Sequence, residues 1–101
     1  MEELIEHVKF IKWKYAYEDD VFQYMSWVNI VRSEKKHTRE VELALLDLQN
    51  ALSGLRDAII CGMVIGEADE VAKAIEQLEA AYGQSVKDTG QSGLGEDNET
   101  E

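Results

Sequence analysis

The chain contains no proline, its first glycine is Gly54, and its only thiol is Cys61. It also lacks any uninterrupted apolar run of the roughly 18 to 20 residues that a membrane span needs. Each absence excludes something. Short strands joined by tight turns call for turn residues every ten positions or so, and none are available before Gly54. A single cysteine cannot close an internal disulfide, so Cys61 is expected to be a buried small apolar residue in a reducing compartment. The opening stretch, Met1 to Phe10, is acidic and has neither a positive leading region nor an unbroken apolar centre. It does not read as a secretory signal, and the expected location is cytoplasmic, away from membranes.

Positive charge is scarce as well. Ten Lys and Arg stand against 21 Asp and Glu in 101 residues, a net charge of −11. Residues 1–39 hold seven acids and seven bases, whereas residues 40–87 hold nine acids against Arg56, Lys73 and Lys87. The last 14 residues add five acids and no base. An acidic back half repels phosphate within about a Debye length, roughly 8 Å, which disfavours double-stranded nucleic acid as a partner. The same charge suits an acidic surface offered to a basic protein.

What is there is helical patterning. A chain of this length is one small domain, for which association with further copies is a natural reinforcement. The expected fold is all-α: a bundle of three or four helices over residues 1–83, with a mobile acidic tail over 84–101. Leu4, Val8, Ile11 and Tyr15 recur at helical spacing and predict a first helix from Glu2 to Tyr15, with Tyr15 on the core stripe. The alternation of Trp13, Tyr15 and Tyr17 also fits a short strand, but no second strand is evident to pair with it. Asp20 and Gln23 form a capping-box pattern ahead of a second helix, Val21 to Val31, whose only polar residues are Gln23, Ser26 and Asn29. So apolar a helix should be buried on most sides, in part by another subunit. The polar segment Arg32 to Arg39 is the next connection, with Ser33 or Thr38 as cap.

The third helix is the clearest element. Val41, Leu45, Leu48, Leu52, Leu55 and Ile59 alternate four and three apart, with Ala44, Ala51 and Ala58 beside them. Gly62 and Gly66 bracket an apolar stretch, Met63 to Ile65: either the helix runs on and the turn is shorter, or these side chains cover the core or a partner. Glu67, Asp69 and Glu70 open a fourth helix with buried stripe Val71, Ile75, Leu78 and Tyr82, and Gly83 is expected to end it.

Seven of the eight aromatic residues lie between Phe10 and Tyr17 or between Phe22 and Trp27. They interleave with Lys9, Lys12 and Lys14 in an otherwise acidic chain. Aromatic rings next to cationic side chains mark protein–protein hot spots. The candidate interface is Trp13, Tyr17, Phe22 and Trp27 with Lys12, Lys14, Arg32 and Lys36. A nucleotide-like small ligand or single-stranded nucleic acid would use the same groups, bases stacking on rings while lysines meet phosphates.

Three motifs invite chemistry. Glu34 and His37 form an ExxH, which on a helix puts both side chains on one face as in di-iron carboxylate bundles. Short ferritin-like chains assemble such sites between subunits, where Glu3 or Glu6 would complete the set. Arg32 and His37, with Ser33 after the arginine, make an R-x4-H that resembles the active-site motif of the HEPN ribonuclease family. That resemblance implies acid–base work by His37 beside the arginine. The ExxE pairs Glu3/Glu6, Glu67/Glu70 and Glu76/Glu79 are similar to those of all-helical nucleotide pyrophosphohydrolases, but the ExxD those enzymes also use is missing. These acids read as solvated helix faces. No phosphate-cradling loop, C-x-x-C or nucleophile elbow occurs, and no cofactor is called for. The expectation is a non-enzymatic interaction module, an adaptor, assembly factor or inhibitor of the kind phages and bacteria use as regulators, with a protein partner and a homo-oligomeric state.

Overall fold

The computed structural model describes residues 1–34 and 36–92, the last eight of these by their backbone alone. It contains four α-helices and one 3-10 turn, with no strand among the described residues. The helices are α1 (Glu2–Lys9), α2 (Glu18–Ser33), α3 (Arg39–Ile60) and α4 (Glu67–Ser92), and the turn is Trp13–Tyr15. α3 packs between α2 and α4, while α1 and the turn lie against α4, and α1 also touches α2. One apolar cluster, running from Leu4 to Leu78, joins them all. No described helix is long and apolar enough to cross a membrane.

The α3–α4 hairpin keeps closely to its pattern. Thr38 caps α3, its hydroxyl oxygen accepting the Val41 N–H at 3.3 Å. Ser33 is not the cap; its hydroxyl donates to the Ile30 carbonyl instead. Val41, Leu45, Leu48, Leu52 and Leu55 are all buried, and Ile59 packs at the edge of the core. The helix ends in a Schellman turn: Met63 N–H reaches the Ala58 carbonyl, Gly62 N–H reaches Ile59, and Gly62 takes φ +78°. Cys61, expected inside, sits in this turn and is exposed. The Glu67 side chain accepts the Ile65 N–H at 2.8 Å, which holds its carboxyl below the usual carboxylate range.

α4 does not stop at Gly83. Its backbone stays helical to Ser92, so the tail expected from residue 84 begins inside the helix, and residues 93–101 lie outside the described part. Gly83 has no positive φ to make it a cap.

The front half departs further from its pattern. α1 ends at Lys9, six residues short of Tyr15, and gives way to a turn rather than to more helix or a strand. Had the helix continued, Leu4, Val8, Ile11 and Tyr15 would share the core face and Trp13 would point to solvent. Breaking it reverses the two. Trp13 becomes 5% exposed and Tyr15 72% exposed. The Trp13 indole Nε1–H also donates to the Val8 carbonyl at 3.1 Å, a last-turn oxygen of α1 that has no partner within the helix. Burying the larger ring and capping that carbonyl outweighs about two further turns of helix in a stretch rich in poor helix formers.

α2 starts at Glu18 rather than Asp20, and the predicted capping box is not its start: Tyr17 holds the N-cap position without a side-chain cap. Glu18, Asp19 and Asp20 all fall in the first turn, where the helix dipole favours them. The helix is not buried on most sides. Val21, Val28 and Val31 are inside, Phe22 and Ile30 outside.

Candidate functional site

Residues 10–17 form a strap between α1 and α2. Its direction is set at one point: Trp13 is pinned in the core by packing and by its bond to Val8. Ile11 and Ala16 pack partly against the same core. The other residues of the strap face out. Phe10 is 84% exposed and Tyr17 76%, and Lys12 and Lys14 are exposed beside them. From Val8 to Tyr17 the chain carries three lysines and no acid. A basic strip bearing three solvent-facing rings, Phe10, Tyr15 and Tyr17, therefore crosses a molecule of net charge −11.

Behind the strap, His7, Trp13, Tyr24 and Trp27 form a chain of ring contacts. Trp13 meets Tyr24 edge-on with centroids 5.6 Å apart, Tyr24 stacks on Trp27 at 6.1 Å, and His7 tilts against Trp27 at 5.3 Å. Trp13, Tyr24 and Trp27 thus have ring surface committed within the protein, which leaves Phe10, Tyr15 and Tyr17 as the rings with free faces. A groove of about 270 Å³ runs between the strap and α4, with Ile11, Trp13 and Ile75 as apolar lining and Lys9 and Glu79 among its polar residues. Lys9 and Glu79 form an ion pair at 2.6 Å, half exposed and worth under about 1 kcal/mol.

The predicted interface residues do not gather in one place. Lys12, Lys14 and Tyr17 stand at the start of α2, whereas Arg32 and Lys36 stand at and beyond its far end, about 20 Å along the helix axis. Phe22 lies under the Arg56 guanidinium, 5.2 Å from its ring centre, and Arg56 also reaches Glu18. Arg32 donates from Nη1 to the Gln49 side-chain oxygen, which ties α2 to α3. His37 is half-buried and donates from Nε2 to the Val31 carbonyl at 3.0 Å, which fixes its tautomer when neutral. Arg32 and His37 are thus both engaged in holding the end of α2 to α3 and to the connection between the two helices. Glu34 is exposed, and among the described residues it and His37 belong to no cluster of three or more metal-ligating side chains.

Phe10 and Tyr15 are the site residues that sequence reasoning left out. Phe10 fits no stripe, and its neighbours Lys9 and Lys12 were the available signal that it faces water. In the apolar turn after α3, Val64 packs inward while Met63 and Ile65 face out. Compared with known protein families, curated proteins and solved structures, the chain matches none.

Proposed function

We propose that this chain is a non-enzymatic protein-interaction module, an adaptor, assembly factor or inhibitor, whose binding element is the strap from Phe10 to Tyr17. One observation carries the reading: three aromatic rings and two lysines face solvent on a segment that a buried tryptophan holds in place. Small proteins leave few large rings exposed without a use, and rings with cationic neighbours are the residues that anchor interfaces. Because Trp13 fixes the strap beforehand, little ordering entropy is lost when a partner binds. Lys12 and Lys14 select a partner surface that is apolar at its centre and acidic at its rim. The exposed acids at the start of α4, Asp69 and Glu70, offer a separate surface for a basic protein.

A second reading, a nucleotide-like ligand or single-stranded nucleic acid on the same strap, draws on the same alternation of ring and lysine. Site-specific photo-crosslinking in the source cell separates the two. A benzophenone side chain at Tyr15 or Tyr17 should give adducts with one recurrent protein, different from any that the same group captures at Lys73 on acidic α4. Adducts with nucleic acid would replace this reading by the second. No adduct at either tyrosine would end both.

A further inference from the structure

The groove between the strap and α4 holds about 270 Å³, less than the roughly 300–1,000 Å³ of sites that enclose a drug-sized ligand or a cofactor. Its size suits a single side chain. Trp13 and Ile75, both buried, form the floor, with Ile11 and Ala72 beside them. The titratable groups in its lining are one base, Lys9, and two acids, Glu76 and Glu79. The two acids are exposed and three apart on α4, which puts them on one face with Cβ atoms about 5–6 Å apart. Lys9 pairs with Glu79, whereas Glu76 has neither an ion pair nor a hydrogen bond among the described residues. The neighbouring lysines do not line the groove. Lys12 is exposed on the strap, and Lys73 lines a separate groove on the α3 side of α4 with Asp47 and Glu70.

We infer that this groove receives one arginine side chain from the protein that binds the strap, an inference that rests on the strap being the binding element. Ile11 and Trp13 belong to the strap, so a partner seated there also covers the groove. Charge selects a cation: one carboxylate is unpaired and the other is held only by an exposed lysine, in a molecule at −11. The apolar floor selects a cation on a long aliphatic stem, which buries its methylenes while the charged head reaches the edge. Of the two such residues, arginine fits better. Its planar fork can donate to both carboxylates at once, and a guanidinium is less strongly hydrated than an ammonium. A phosphate in the groove would meet the same two carboxylates and be repelled. The partner surface is then two-sided, with acids against Lys12 and Lys14 and an arginine on the α4 side of the strap.

The test is an NMR titration of the full chain with acetyl-leucyl-arginine amide, at physiological ionic strength. The Trp13 indole N–H and the amides of Val8, Ala72 and Ile75 should shift together and saturate. The citrulline counterpart, which keeps the shape without the charge, should bind at least about threefold more weakly, and so should the lysine counterpart. Glu76→Gln should weaken the arginine peptide by a similar factor. Glu76 is exposed and unpaired, so that variant disturbs no packing. Tyr17→Ser should leave the titration unchanged. Shifts that do not saturate, shifts spread equally over Asp19, Asp20 and Asp69, or equal binding of the citrulline or lysine peptide would each overturn the inference. Crosslinking at Tyr15 and Tyr17 reads the strap itself, so recurrent adducts there without an arginine response would remove this inference and leave the strap as the binding element.

Discussion

In the α3–α4 hairpin, the residues that fill the core are aliphatic, spaced three and four apart, and drawn from helices of 22 and 26 residues. In the front segment, an eight-residue helix puts only Leu4, Ile5 and Val8 into the core, and the strap after it is pinned chiefly by one indole. The difference teaches where each kind of residue is informative. A long aliphatic stripe has one way to be buried, because every member loses if the helix rotates. A short stripe ending in aromatics has two, because one ring inverted into the core compensates for a lost helical turn. Stability is therefore spread out in the hairpin and, within the strap, concentrated at Trp13, leaving Phe10, Tyr15 and Tyr17 free for other use.

The contrast breaks first at Trp13. Replacing it by alanine should cost about 3–5 kcal/mol in urea unfolding, as for other large buried aromatics. Tyr15→Ala and Tyr17→Ala should stay within about 0.5 kcal/mol, the usual range for exposed positions. Equal losses from all three would mean that the strap is core throughout.

That asymmetry also marks how far the sequence could be read. The heptad seam of α3 and the Val71, Ile75 and Leu78 stripe of α4 were legible because their spacing admits no competing arrangement. The all-α bundle is the consequence of these stripes and of the absent proline. Trp13 and Tyr15 were not legible as core and surface, since periodicity placed Tyr15 inward, and burial of the larger Trp13 ring with its bond to the Val8 carbonyl reverses it. Cys61 was misread because small apolar residues are usually buried, whereas the Schellman turn at Gly62 lifts it out. Arg32 and Lys36 were grouped with Lys12 and Lys14 by charge, but α2 separates them by its own length. Gly83 looked like a cap because glycine often ends helices, and nothing in its neighbours signals that α4 runs on.

Two glycines sharpen the comparison within the hairpin, with smaller effects. Gly62 adopts a left-handed conformation, so Gly62→Ala should destabilise by about 1 kcal/mol. Gly83 sits within helical backbone, and nothing lies within 4 Å of where a Cβ would stand. Gly83→Ala should therefore stabilise by about 0.5–1 kcal/mol. Thermal melts of the two variants check the signs, and a loss at Gly83 would restore it as the end of α4.

Everything proposed for the strap depends on Trp13 turning inward while Phe10, Tyr15 and Tyr17 turn outward. Hydroxyl-radical footprinting read by mass spectrometry measures this directly, because it labels tryptophan, tyrosine and phenylalanine according to their exposure. Phe10, Tyr15 and Tyr17 should label fast, with Trp13 protected despite its high intrinsic reactivity. Trp13 labelled as fast as Tyr17, with Tyr15 protected, would contradict this arrangement and return the front of the chain to one continuous helix.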